Sequence, residues 1–167
     1  WLRKAVSAEE IATPSANNRP IAFPYTKLMV ANQSVNPGGA FSVGSLAKAR
    51  AVVVPEERMV LGGYGAGARE PSDVLRRQSY DRSIALETTL RSALAFNKIE
   101  TSELDCVELY SCFPCIPKLA WRAIGWPLEK PMSVVGGLTF GGGPVGNYMS
   151  HAIATMTERL RRDGRAG

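Results

Sequence analysis

Apolar positions along the chain fall into two spacings. Leu86, Leu90, Ala93 and Leu94 recur at i, i+4, i+7 and i+8, which predicts a helix over 83–97 with Ser83 placed to cap it. Beyond Asn147, Met149, Ile153, Met156 and Leu160 predict the buried face of a second helix, fraying in a basic tail. A third is expected from Pro117 to Gly125, with Leu119, Ala120, Ala123 and Ile124 apolar. Shorter starts are marked by Ser7-Ala8-Glu9-Glu10, a capping-box pattern, by Ser45 ahead of Leu46–Arg50, and by Thr101-Ser102-Glu103-Leu104. Between these lie a short apolar run, Leu28–Val30, and the runs Ala40–Gly44, Met59–Gly65, Cys106–Tyr110 and Met132–Gly137, which read as strands. Pro14, Pro20 and Pro24 punctuate an extended approach, and 68–82 is a charged surface loop.

Strand and helix alternate from 59 onward, which predicts an α/β fold, a sheet layered with helices. In such sheets ligands sit at the carboxyl ends of strands. Tyr110-Ser111-Cys112 and Gly136-Gly137 both fall at that end, so the two are expected to face one site. Six glycines lie between Gly136 and Gly146, and the chain's only histidine, His151, follows by one helical turn. A loop opening a helix directs free N–H groups outward, where an oxyanion or phosphate binds. The alternative is a tight strand-to-helix connection without chemistry.

Composition narrows the class. The 167 residues fit about one domain, 45% hydrophobic and 21% charged, as in ordinary globular chains. No run approaches the roughly 18 apolar residues of a membrane span, and no secretory pattern follows Trp1. The net charge of +5 is scattered and not interleaved with aromatics, so a nucleic-acid surface is not expected, whereas a phosphorylated small ligand fits. Three cysteines within ten positions, Cys106, Cys112 and Cys115, are no disulfide framework and suit a reducing, cytoplasmic setting. Cys112-Phe113-Pro114-Cys115 spells C-x-x-C, which read alone is a redox pair or half a zinc site. Nothing supplies the remaining zinc ligands at usable spacing, so no metal is expected.

Three blocks together resemble the thiolase superfamily, specifically thiolase-like acetyl-CoA acetyltransferases related to the sterol-carrier-type thiolases. Asn32-Gln33-Ser34-Val35-Asn36-Pro37-Gly38-Gly39-Ala40 is similar to the family loop before a buried Ala-rich strand, with Pro37 where Asp is usual. Val107 to Phe113 resembles the block written Asn-Glu-Ala-Phe or His-Asp-Cys-Phe. Gly136 to Pro144 resembles the Gly-Gly block ending Gly-His-Pro, and Asn147 to Met156 continues it.

The resemblance implies a thiolase-like αβαβα layered fold, present in part. Residues 1–56 would end the first half, and 57–167 would form most of the second half without its last strands. It implies that the acyl-accepting cysteine lies upstream of Trp1, so the chain reads as a fragment or as a subunit completed by something else. It also implies an acyl-CoA or 3-ketoacyl-CoA substrate in lipid or sterol metabolism, coenzyme A as substrate rather than resident cofactor, and a homo-oligomer or completion by the missing parts of the fold. Gly137, Gly142, Gly143 and Pro144 would face the CoA thioester. Three family positions depart: Gly143 stands where the family carries histidine, and Tyr110 and Ser111 stand where it carries its Asn or His and the neighbouring acid. Catalysis would then rest on Tyr110, Ser111, Tyr148 and His151. A retro-aldol C–C lyase, needing only a base and an oxyanion holder, and a non-catalytic CoA- or partner-binding protein are the alternatives.

Overall fold

The computed structural model describes residues 4–109, 112–163 and 167. In chain order it forms α1 (Ala8–Ala12), β1 (Pro20–Ala22), β2 (Tyr25–Thr26), α2 (Leu46–Ala51), α3 (Ile84–Asn97), α4 (Cys115–Ile124) and α5 (Tyr148–Asp163), linked by extended chain and short 3₁₀ turns. Locally encoded signals form as written. Ser7 and Glu10 make a reciprocal capping box, Ser7 N–H donating to Glu10 at 2.8 Å and Glu10 N–H to Ser7 Oγ at 3.1 Å. Ser45 and Ser83 cap α2 and α3 by accepting from Lys48 N and Leu86 N, each at 3.1 Å. Leu86, Leu90, Ala93 and Leu94 are half-buried, and α3 packs on α4.

The predicted strands do not form a sheet. Among the described residues the only ladder is the β1–β2 hairpin, antiparallel around a cis Phe23–Pro24 peptide. Lys27–Met29 is a 3₁₀ turn, and Ala40–Gly44 lies exposed, with Val43 at 87%. Near Met59–Gly65 the backbone of Tyr64 pairs with a side chain instead: its N–H donates to Asn97 Oδ1 at 2.7 Å, and its carbonyl accepts from Asn97 Nδ2 at 2.8 Å. Segments 106–109 and 132–137 do run together, joined by one backbone bond, Leu109 N–H to Met132 O at 2.9 Å. Strand preference is a fit to neighbouring strands more than a property of the segment, so apolar runs without ladder partners stay extended and unpaired.

α5 also departs from the pattern. The core it joins is Leu138, Tyr148 and Ala152, with Ala31 and Val135 against it. Met149 and Ile153, on the predicted inner face, are 51% and 40% exposed. The helix turns Tyr148 and the small Ala152 inward against Leu138. Gly39 packs against α5 too: a Cβ on it would sit 3.1 Å from the backbone of Ser150 and His151.

α3 gives a pH prediction. Ser83 Oγ donates to Glu70 Oε1 at 2.6 Å while capping the helix. That hydrogen bond, with Ala85 N–H next and Arg77 assisting, holds the Glu70 carboxyl below its usual value. A depressed folded pKa means the contribution is present above the unfolded value, about 4.3, and is lost as pH falls through the lower, folded one. Thermal unfolding across pH 2–6 is expected to show Glu70→Gln losing less stability on acidification than the parent. Parallel pH curves would remove Glu70 from the linkage.

Candidate functional site

The site is built on the turn that follows 132–135. Ser133 Oγ accepts from Val135, Gly136 and Gly137 N–H at 3.1, 2.9 and 3.2 Å. This draws the chain into a coil that only glycine follows without strain: φ is +89° at Gly136 and +87° at Gly137. The loop then folds on itself, Gly141 N–H to Gly137 O at 2.9 Å, and onto the 30–37 segment, Gly143 N–H to Asn32 O at 2.8 Å and Asn32 N–H to Leu138 O at 3.1 Å. Thr139 Oγ1 donates to Val30 O at 2.5 Å, and Asn147 Nδ2 to Pro37 O at 2.8 Å.

These bonds correct the expectation of outward amides. The N–H groups of Gly136 and Gly137 donate to Ser133 Oγ, that of Gly141 to Gly137 O and that of Gly143 to Asn32 O, so these four amides are not turned outward to hold an anion.

Glu108 fixes the turn from beneath. This half-buried carboxylate accepts from Ser133 Oγ at 2.9 and 3.0 Å, from Val134 N–H at 2.8 Å and from Val135 N–H at 3.1 Å. The phenol of Tyr148, 1% exposed at the first turn of α5, donates to its other oxygen. One carboxylate thus ties together the 106–109 strand segment, the Gly136-Gly137 turn and α5. Hydrogen bonds to an ionised acceptor are roughly twice as strong as neutral ones. A phenol has a single proton, so in this arrangement Tyr148 is a tether and does not donate to a ligand.

Above the turn lies a cavity of about 670 Å³, in the range of small-molecule sites. Its walls are mainly apolar, among them Leu28, Met29, Leu109, Met132 and Phe140, with Tyr25, Cys112, Lys118 and Thr139 supplying polar groups. The Cys115 thiol bonded to the Tyr25 hydroxyl, and then burial, push that phenol above its ordinary value.

The sequence-derived candidates divide around this cavity. Tyr148 and Gly137 line it. His151, Gly142, Gly143 and Pro144 lie off the wall that the described residues form. His151 is half-buried on α5, its backbone against Gly39. Gly142 and Gly143 are buried, and a Cβ on either would press on Val35 at 2.8 Å or on Ala31 at 2.9 Å. Tyr110 and Ser111 lie outside the described residues, while Leu109 and Cys112, which flank them, line the cavity. Sequence reasoning passed over Glu108. Its signal was a charge inside the apolar run Cys106-Val107-Glu108-Leu109, since a carboxylate in such a run must find donors.

Among the described residues, no group of His, Cys, Asp and Glu is arranged to hold a metal, and no helix is long and apolar enough to cross a membrane.

No protein-family model and no curated protein matches the sequence. Solved structures do. One is a monomeric SCP2-thiolase like protein type 1 (STLP1) from Mycobacterium smegmatis, 32% identical, with a TM-score of 0.77. The match covers 96% of this chain and 36% of that one, so the chain spans little more than a third of that structure's length.

Proposed function

We propose that this chain, thiolase-like in fold and related to the sterol-carrier-type thiolase-like proteins, forms the acyl-thioester pocket of an acetyl-CoA acetyltransferase-type enzyme acting on acyl-CoA or 3-ketoacyl-CoA. The observation that carries this reading is the apolar cavity floored by the Gly136-Gly137 turn, with Glu108 and Ser133 clamping that floor. The acyl group occupies the cavity between Leu28, Leu109 and Met132. Lys118, at the rim, offers a cation to the phosphorylated part of coenzyme A. Tyr110 supplies the phenol donor for the thioester oxygen, because the proton of Tyr148 goes to Glu108. None of Cys106, Cys112 and Cys115 stands where the resemblance puts the acyl-accepting cysteine. The apolar side chains left exposed along 41–61, such as Val53 at 84% and Leu61 at 78%, fit a surface covered by the rest of a layered αβαβα assembly or by a second copy.

A second reading, a protein that binds the thioester without turning it over, is favoured by Gly143. It has no side chain where the family carries histidine, and Ala31 leaves no room for one. The test is release of CoA thiol from acetyl-CoA by the protein together with the half of the fold that would carry the acyl-accepting cysteine, and by its Tyr110→Phe variant. The enzymatic reading expects release, lowered roughly 10- to 1000-fold in the variant with binding retained. Saturable binding with no release in either protein selects the second reading.

A further inference from the structure

We propose that Cys112 and Cys115 are a reversible dithiol–disulfide pair, a thiol-modification site on the wall between two cavities. Both are exposed and outside any disulfide, whereas Cys106 is buried, 8% exposed, with its Sγ donating to Met156 Sδ at 3.3 Å. Cys112 lines the large cavity, and Cys115 lines a second one of about 510 Å³. The chain turns between them. Pro114 is helical at φ −62° and ψ −20°, Ile116 N–H donates to Phe113 O at 3.2 Å, and Cys115 is the first residue of α4. Only two residues separate the cysteines, and the chain bends at Phe113 and Pro114 before α4; a bent four-residue span brings its end Cα atoms within about 7 Å, the reach of a disulfide.

The surroundings suit exchange with a small anionic disulfide. On the cavity wall that Cys115 shares, Arg77, Lys118 and Arg122 outnumber the carboxylates Glu70 and Asp81, an excess of positive charge that attracts the carboxylates of oxidised glutathione. One cysteine thiolate attacks a glutathione sulfur, forming a mixed disulfide and releasing the first glutathione as thiolate. The second cysteine thiolate attacks the protein-bound sulfur, closing the bridge and releasing the second. Two electrons pass to glutathione, and the two protons of the protein thiols end on its two thiols. Cys112 itself lies on the wall of the large cavity beside Tyr25, so closure of the bridge alters that wall and the oxidation state of the pair reaches the proposed acyl pocket.

The test equilibrates the protein with glutathione buffers of stepped oxidised-to-reduced ratio, then applies acid quench, alkylation and peptide mass analysis. The expected product is the Cys112–Cys115 peptide lighter by about 2 Da, restored by dithiothreitol, with Cys106 alkylated throughout. In Cys115→Ser, Cys112 is expected to carry a stable glutathione adduct instead. Wild-type protein that keeps both thiols, that accumulates the adduct without bridging at ratios that modify Cys115→Ser, or that bridges through Cys106 overturns the proposal.

Discussion

Glu108→Ala is expected to lower stability by about 2–4 kcal/mol. The substitution leaves Ser133 Oγ, Val134 N–H, Val135 N–H and the Tyr148 phenol without their shared acceptor. Val135 N–H keeps Ser133 as a second acceptor, and Glu108 is only half-buried, so water recovers part of the loss. Glu108→Gln keeps one carbonyl acceptor but turns an NH₂ toward existing donors, and is expected to fall between wild type and Ala. Tyr148→Phe removes one bond and keeps the packing, costing about 1–2 kcal/mol. Urea unfolding of the single variants and of Glu108→Gln/Tyr148→Phe tests the clamp directly. Residues in one network couple, so the double variant is expected to lose less than the sum of the singles. Strict additivity would show that carboxylate and phenol do not act together.

Gly142→Ala is expected to cost a similar amount, about 2–4 kcal/mol, for two separate reasons. The backbone stands at φ +88°, where an L side chain costs roughly 1–2 kcal/mol, and the new methyl would lie 2.8 Å from Val35 Cγ2. Gly143→Ala isolates the second term. Its φ is not in the left-handed region, yet its Cβ would lie 2.9 Å from Ala31 Cβ, a cost of about 1–3 kcal/mol. Thermal unfolding of the pair is expected to place Gly142→Ala below Gly143→Ala, and Ala31→Gly to rescue Gly143→Ala alone. Equal midpoints, or rescue of both, would contradict the geometry. The same crowding predicts that histidine at 143, the residue the family resemblance puts there, does not fit this loop.

What the sequence disclosed follows from how far apart the interacting groups lie. The caps at Ser7, Ser45 and Ser83 were legible because each bonds a backbone amide three residues away. The stripe of α3 was legible for the same reason: its spacing is a local property. The relation to sterol-carrier-type thiolase-like proteins was legible from three blocks in order, and the structural match bears it out. Glu108 was not, because its partners Ser133 and Tyr148 lie 25 and 40 residues on, and nothing around it marks them. The strands were over-read, since runs such as Ala40–Gly44 have strand composition but no neighbour here to pair with. In α5 the error was rotational. Met149 and Ile153 have the more apolar side chains, but the face that joins Leu138 in the core carries Tyr148 and Ala152. The glycine loop was recognised as special, but for a different reason. Its glycines serve positive φ and close packing against Val35 and Ala31, and its amides are used internally.

The most direct measurement is calorimetric titration of the protein with acetyl-CoA and with a longer acyl-CoA, repeated on Met132→Trp. The indole would fill the cavity wall between Leu109 and Ser133. One saturable site in the wild type is expected, at least tenfold weaker in Met132→Trp with the helical circular-dichroism signal unchanged, a loss of about 1.4 kcal/mol or more. No binding by the wild type, or equal binding by both proteins, would contradict the assignment of this cavity to an acyl thioester.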